Sequence, residues 1–168
     1  MMTDGCTRKS SMRSSGGPLI AAVLLLGAAG FFTADSAAAP PPKCPITSNG
    51  YMDPNYTPNA PVRSRVGTGF GLSGVVRSGI DCSAIPRARV EIWHAGPNGS
   101  YDAVHRGTVI TDAGGRYRFD TDFPGSSFGQ PHIHVRVAVP GFKLVVTVLL
   151  PKAGTKSGTL NIVLEPEV

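Results

Sequence analysis

Residues 131–137 of this chain read Pro-His-Ile-His-Val-Arg-Val, and polar and apolar side chains alternate through them. Successive side chains of a β-strand point to opposite faces, so Ile133 and Val135 face one way. His132 and His134 face the other way and lie ~7 Å apart along the strand. The stretch therefore predicts a half-buried strand that presents two imidazoles on one face.

The sequence on either side of this strand repeats a pattern of short apolar runs and turns. Glycine stands in each gap, as in Pro97-Asn98-Gly99 and Pro140-Gly141. Many short strands with turn signals and almost no helical period are typical of antiparallel sandwiches. We therefore predict an all-β, antiparallel two-sheet β-sandwich of immunoglobulin-like or transthyretin-like type, with about seven strands. The predicted strands cover residues 71–77, 87–93, 108–111, 116–121, 133–139, 144–150 and 159–164.

The composition supports the same fold class. The 168 residues include 21 glycines and 15 prolines, and only 16% are charged, against about 25% in average soluble proteins. Such a turn-rich chain is unsuited to a coiled coil or a helical bundle. The formal net charge of +5 is too mild for a dedicated nucleic-acid-binding protein, so we predict no nucleic-acid partner.

The N-terminal residues have the features of a secretory signal peptide. Arg8, Lys9 and Arg13 precede an apolar run over 18–32, and small residues follow it. This order of basic, apolar and small-residue regions is typical of signal peptides. We predict removal of residues 1–38 and a secreted, periplasmic or cell-surface protein without a stable membrane anchor. A retained anchor is the alternative, although the run is shorter than the ~20 residues of a spanning helix.

The rest of the chain divides into an arm and a domain. Residues 39–68 are rich in proline, asparagine and serine and show no sustained period, which predicts an extended arm. Residues 69–168 carry the strand pattern of the sandwich domain. Once the signal is removed, Cys44 and Cys82 remain as an even number of cysteines in an oxidising compartment. A disulfide between them is expected to tie the arm to the first strands.

The two imidazoles of the 131–137 strand are candidate metal ligands. Neutral imidazole binds zinc, copper, iron and nickel, and a pair on one strand face can share one ion. One alternative is that both side chains belong to a solvated face. Another is a copper or zinc protein that uses His132 and His134 together with a solvent ligand.

Six segments in the predicted sandwich carry further information when they are taken in order. They are Val90-Glu91-Ile92-Trp93-His94-Ala95, Gly99-Ser100-Tyr101, Arg106-Gly107, residues 111–119, Phe123-Pro124-Gly125 and the strand at 131–137. Each is weak by itself, but the ordered series is fairly specific. Over residues 69–150 it resembles the intradiol ring-cleavage dioxygenases of the catechol and protocatechuate dioxygenase type, especially their small secreted relatives.

The resemblance implies a mononuclear Fe(III) ion held by two histidines and two tyrosines. His132 and His134 correspond to the two histidines, and Tyr101 corresponds to the first tyrosine. The implied reaction opens a catechol ring between its two hydroxyl-bearing carbons with O2. It gives a muconate-type diacid and needs no organic cofactor. Without the family order, Tyr101 would be interpreted as a half-buried turn residue.

Two positions depart from the family pattern. The second tyrosine falls at Ser127, two residues after the Pro124-Gly125 turn. In the family this tyrosine leaves the iron and accepts a substrate proton. The arginine that precedes the histidine pair falls at Gly129-Gln130. We assign Gln130 a catalytic role as the side chain near the missing arginine.

Other side chains are candidates for the fourth ligand. His105 is expected in a short loop after Tyr101, and Tyr51 or Tyr56 on the arm could fold back towards the site. Water or hydroxide is favoured over all three. His94 is expected to be structural, and Tyr117 alternates with arginines and is expected in the core.

The sequence thus predicts a secreted Fe(III) dioxygenase that acts on a catechol or another phenolic compound with O2, as a monomer or small homo-oligomer. The two missing residues leave an alternative open. In that alternative the chain is a non-catalytic secreted binding module whose metal site has degenerated.

Overall fold

Eight β-strands and no helix make up the regular structure of the described residues. The computed structural model describes residues 44–50, 55–127 and 129–167, and the predicted signal peptide lies outside them. In this part of the chain, no helix is long and apolar enough to cross a membrane. The strands are β1 (Phe70–Ser78), β2 (Arg89–Ala95), β3 (Tyr101–Ile110), β4 (Arg116–Thr121), β5 (Ile133–Ala138), β6 (Val145–Leu149), β7 (Ser157–Thr159) and β8 (Ile162–Leu164).

The strands form two four-stranded sheets, which confirms the predicted all-β sandwich with eight strands in place of about seven. One sheet has the order β4–β1–β7, with β8 also paired to β1, and the other has the order β3–β2–β5–β6. The pairings among these strands are antiparallel, except that β7 and β8 run parallel to β1. In the second sheet β2 lies between β3 and β5, and this arrangement positions the candidate site.

The strand predicted at 159–164 forms as two short strands, because β7 and β8 pair with different halves of β1. Between β7 and β8, the side-chain oxygen of Asn161 accepts a hydrogen bond from the amide of Val75 at 3.1 Å. A Cβ on Gly74 would collide with the carbonyl oxygen of Leu160. Glycine is therefore required where the two backbones approach most closely.

The core lies between the inner faces of the two sheets. Leu72 and Phe119 from the first sheet and Ile133 and Val135 from the second are fully buried. Burial of each such side chain stabilises the fold by ~1.5–3 kcal/mol. The predicted core position of Tyr117 is confirmed, since it is 3% exposed and its hydroxyl donates to a backbone carbonyl at 2.6 Å. Burial also raises the pKa of Tyr117.

Strand β3 is longer than the sequence predicts, because it begins at Tyr101 rather than at residue 108. Its pairing with β2 shifts register between Trp93 and Ala95. Such an irregularity interrupts the alternation of polar and apolar residues that reveals a strand in a sequence. The first half of β3 therefore has no clear sequence signal.

Part of the predicted arm is hydrogen-bonded to the sandwich. The amide of Thr108 in β3 donates to the carbonyl of Pro61 at 2.9 Å, and the amide of Val66 donates to the carbonyl of Asp120 in β4 at 2.9 Å. Strands β3 and β4 belong to different sheets. The arm therefore joins the edges of the two sheets.

The predicted disulfide is present. Cys44 and Cys82 are joined, with their Cα atoms 5.4 Å apart. Downstream of the disulfide, the amide of Thr47 donates to the carbonyl of Val163 at 3.0 Å. The beginning of the described chain is therefore fastened both covalently and by backbone hydrogen bonds.

Candidate metal site

Three side chains, from two separate parts of the sequence, meet at one end of the β3–β2–β5–β6 sheet. The hydroxyl of Tyr101 lies 3.0 Å from Nε2 of His132 and 3.2 Å from Nε2 of His134. Tyr101 begins β3, His134 lies in β5, and His132 immediately precedes β5. Because β2 pairs Ala95 with Tyr101 and Trp93 with His134, it holds the flanking strands in the register that this contact requires.

Both imidazoles present the same ring nitrogen to Tyr101. Their centroids are 4.7 Å apart and their planes are nearly perpendicular, at 80°. The other nitrogen of His132, Nδ1, lies 2.9 Å from the carbonyl oxygen of Gln130. A carbonyl only accepts hydrogen bonds, so in the neutral ring Nδ1 carries the proton and Nε2 carries the lone pair. This tautomer is the one that binds a metal through Nε2.

The donor set fits a single metal ion. The phenol oxygen of Tyr101 lies within 3.2 Å of one nitrogen of each imidazole, and the phenolate form of tyrosine is a hard, anionic ligand suited to Fe(III). Within the described ranges, no group of three or more His, Cys, Asp or Glu side chains could hold a metal ion. Tyr101 is therefore the residue that extends the histidine pair to three donors.

An aromatic and charged layer continues from the site along the same sheet face. Trp93 stacks on His134, with ring centroids 5.0 Å apart and planes 8° from parallel. Next to this pair, Glu91 accepts hydrogen bonds from Tyr56 at 3.0 Å and from Arg136. Burial by itself would raise the pKa of Glu91, but these hydrogen bonds outweigh burial and lower it. The buried carboxylate is therefore charged at neutral pH.

The fold has counterparts among solved structures. The dioxygenase domain of a dioxygenase–carbohydrate-binding protein fusion from Streptomyces sp. SirexAA-E is 23% identical, with a TM-score of 0.64 over 73% of this chain and 100% of that chain. An intradiol ring-cleavage dioxygenase from Tetranychus urticae is 18% identical, with a TM-score of 0.66 over 73% of this chain and 96% of that chain. This chain has the intradiol dioxygenase fold.

Sequence similarity to an intradiol dioxygenase is also detectable. A curated chlorocatechol 1,2-dioxygenase from Pseudomonas putida is 28% identical over an alignment 103 residues long, and the match covers 45% of this chain and 39% of that protein. No family model matches the sequence. The matched region spans less than half the length of that curated relative. Together with the solved structures, this match confirms the predicted resemblance to the intradiol dioxygenases.

The two departures from the intradiol pattern lie at accessible positions. Ser127 is half-buried, and Gly129 and Gln130 are exposed. Gln130 supplies its backbone carbonyl to His132. A catalytic role for the Gln130 side chain stays a prediction.

Two candidates for a fourth ligand are engaged elsewhere. Nδ1 of His105 lies 2.9 Å from Asp102, and its Nε2 lies 3.3 Å from Asp122, so a carboxylate faces each ring nitrogen. The hydroxyl of Tyr56 donates to the buried glutamate of β2. The structure therefore supports neither residue as an iron ligand, and Tyr51 lies outside the described residues.

Sequence reasoning missed the burial of Glu91 and Trp93. The alternation of β2 places both on the face opposite Val90 and Ile92, away from the core, yet both are 3% exposed. Tyr56 from the arm contacts each of them. Their burial has no local sequence signal, because it depends on where the arm crosses the sheet.

His94 is structural, as the sequence predicts. It is fully buried, with Nδ1 2.7 Å from the carbonyl of Ala95 and Nε2 2.7 Å from the hydroxyl of Thr121. Burial lowers the pKa of His94 from 6.5 to about 4. The ring is therefore neutral in the folded protein over most of the pH range in which a free histidine becomes charged.

We expect this histidine to make stability pH-dependent in a defined window. Below pH 6.5 the unfolded chain takes up a proton at His94, whereas the folded protein does so only near the folded pKa of about 4. The free energy of unfolding should therefore fall as the pH decreases from 6.5 to 4, by up to ~3 kcal/mol. Urea denaturation at intervals across this window measures the loss.

The matched variant is His94→Gln, which keeps polar atoms for Ala95 and Thr121 but does not titrate. It should have a shallower dependence on pH in the same window, whatever its absolute stability. The neighbouring carboxyl groups of Asp102 and Asp122 have lowered pKa values. At Asp102 burial raises the pKa but hydrogen bonds from His105 outweigh it, and at Asp122 the hydrogen bond from the amide of Thr68 is the main cause of the lowering. Both groups therefore titrate below this window. An equal slope in the variant would show that His94 is not responsible.

Proposed function

We propose that this chain is a non-haem iron dioxygenase that opens catechol-type rings between the two hydroxyl-bearing carbons, with O2, to give muconate-type diacids. Tyr101, His132 and His134 would hold Fe(III). The observation that carries the proposal is the position of the Tyr101 phenol oxygen, within 3.2 Å of a nitrogen of each imidazole, at one end of an intradiol dioxygenase fold.

Held by Tyr101, His132 and His134, the iron would supply Lewis-acid chemistry that draws electron density from a catechol ring. Tyr101 serves this chemistry as an anionic ligand. A free tyrosine side chain has a pKa of ~10, and an adjacent cation would stabilise its phenolate form. His132 and His134 serve as neutral ligands, so the protein contributes one negative charge to the site.

Proton handling differs from the pattern that the resemblance implies. A catechol that binds through both oxygens loses two protons, and Ser127 stands where the family has a tyrosine that accepts one of them. Gly129 and Gln130 beside this position are exposed. We propose that solvent water at these exposed positions receives both substrate protons, including the one that a second tyrosinate would accept.

We also propose that the protein acts outside the cytoplasm. The basic and apolar character of residues 1–38 is the sequence argument for export. The Cys44–Cys82 disulfide supports it, since disulfides persist in oxidising compartments. Detection of a new N-terminus near residue 39 in the exported protein tests this part of the proposal, and a retained residue 1–38 segment would contradict cleavage.

An anaerobic titration of the iron-loaded protein with catechol tests the function. We expect stoichiometric iron, a visible tyrosinate-to-iron absorption band, and a change of that band when catechol binds. Admission of O2 should then consume catechol and O2 in equal amounts. Zinc-loaded protein is the matched control, because it occupies the site without providing the iron chemistry.

Two results would overturn the proposal. Absence of stoichiometric iron together with absence of O2 consumption would favour the non-catalytic binding module. Tight binding of copper or zinc with no iron retained would favour a metal protein that uses His132 and His134 for another purpose.

A further inference from the structure

One ring stack connects the candidate site with the arm. Trp93 is the only tryptophan of the chain, and it is 3% exposed. It lies in β2 directly opposite His134 of β5. The planes of the indole and the imidazole are nearly parallel, at 8°, and the ring centroids are 5.0 Å apart. The stacked partner of this candidate ligand is therefore a large, buried ring.

Stacking matters here because a histidine ring is weakly restrained by its own covalent geometry. The terminal torsion of histidine joins sp³ and sp² carbons, and its energy wells are broad. The plane of the ring, and with it the direction of Nε2, is consequently set by what packs against the ring. For His132 a hydrogen bond from Nδ1 to the carbonyl of Gln130 supplies the restraint. For His134 the parallel indole of Trp93 supplies it.

Tyr56 from the arm holds the indole in this arrangement. Its ring centroid lies 5.2 Å from that of Trp93, and its hydroxyl donates to Glu91 at 3.0 Å. The guanidinium carbon of Arg136 lies 5.1 Å from the centroid of the Tyr56 ring, a distance at which a cation is attracted to an aromatic face. Three separate interactions thus keep Tyr56 against the sheet.

The side chain of Arg106 also holds the segment around Tyr56. Nη1 of Arg106 donates to the carbonyl of Asn55 at 2.6 Å, and Nε of the same side chain donates to the carbonyl of Asp102 at 2.7 Å. Asp102 directly follows Tyr101 in β3. One arginine therefore links the segment that carries Tyr56 to the strand that carries the third donor.

We propose that Trp93 is a positioning residue that orients the imidazole of His134 for metal binding, and that Tyr56 of the arm maintains Trp93 in this role. The proposal rests on the proposed function in that it takes His134 to be a ligand. It goes beyond that function because it makes the arm a working part of the metal site.

The first test uses the metal-free protein and NMR of the histidine rings. The ring protons of His134 should be shifted upfield by the ring current of the indole in the wild type. In Trp93→Leu this shift should be lost, and in Trp93→Phe it should be partly retained. Tyr56→Leu should move the resonances towards the Trp93→Leu values. Val62→Ala, at an arm position that is 70% exposed, is the matched control and should leave them unchanged.

The second test measures the affinity of the same proteins for iron alone. Residues that orient a ligand typically affect metal affinity by about 10- to 100-fold, so Trp93→Leu should bind iron about 10-fold more weakly. Trp93→Phe should restore most of the affinity, because a phenyl ring can still stack on the imidazole. Tyr56→Leu should give an intermediate loss. Far-ultraviolet circular dichroism identifies any variant that fails to fold. If Trp93→Leu fails to fold, the iron affinities of Trp93→Phe and Tyr56→Leu are compared with that of the wild type instead.

The two proposals fail in different ways. If Trp93→Leu folds, and its His134 resonances and iron affinity match those of the wild type, the positioning role is overturned while the proposed function stands. If the wild type binds no iron, the proposed function falls. The positioning role is then decided by the His134 resonances of the metal-free variants, and an unchanged spectrum in Trp93→Leu and Tyr56→Leu overturns it.

Discussion

Replacement of Tyr101 by phenylalanine is expected to remove the visible absorption of the iron-loaded protein and to abolish most of the ring-opening activity that we propose for it. The substitution deletes one oxygen, and that oxygen lies 3.0 and 3.2 Å from Nε2 of His132 and His134. Residues that only orient a ligand already affect activity by about 10- to 100-fold, so loss of the proposed anionic donor itself should cost at least about 100-fold. Visible spectra and O2 consumption with catechol measure the two effects.

Tyr117→Phe is the control for this experiment. It deletes a tyrosine hydroxyl from the core, where that group donates to the carbonyl of Leu160. The loss of one hydrogen bond should lower stability by about 1 kcal/mol and leave the absorption band in place. A band that survives in Tyr101→Phe would contradict the assignment of Tyr101 as the phenolate ligand.

Removal of the disulfide by Cys44→Ser and Cys82→Ser together is expected to produce the largest change in stability. The cross-link joins residues 38 positions apart in the sequence. The loop-entropy relation for a loop of that size gives about 4 kcal/mol of stabilisation, because the cross-link restricts the unfolded chain. The free energy of unfolding from urea denaturation should fall by that amount.

A reductant provides the internal comparison. Wild-type protein in a thiol reductant should lose about as much stability as the double variant, and the double variant should not respond to the reductant. Cys44 and Cys82 both lie outside the eight strands, so the double variant should keep a circular dichroism spectrum close to that of the wild type. Equal unfolding midpoints for the oxidised wild type and the double variant would show that the disulfide does not stabilise the fold.

Local patterns were sufficient for much of the sandwich. The alternation through 131–137 predicts that Ile133 and Val135 face the core, and both are fully buried. Tyr117 was predicted in the core for the same reason. Where pairing is irregular, the pattern fails. The first half of β3 has no clear signal because of the register shift opposite Trp93 and Ala95.

The candidate site divides in the same way. His132 and His134 could be paired from sequence because the period of a strand places them on one face without any knowledge of the fold. The third donor, Tyr101, could be proposed only through the resemblance to the intradiol dioxygenases. Nothing in its local sequence indicates that β2 would lie between β3 and β5 and bring its hydroxyl to the two imidazoles.

The sequence by itself predicted the all-β class and the histidine pair, because strand period is a property of short stretches. It predicted the Cys44–Cys82 disulfide because two of its three cysteines remain once the expected signal peptide is set aside. The tertiary structure alone decided which side chains surround the histidine pair. Trp93 stacks on His134 because β2 and β5 are neighbours in register, and Tyr56 contacts Trp93 because the arm crosses their sheet. These contacts join residues that are distant in the sequence, so they depend on how the strands and the arm pack together.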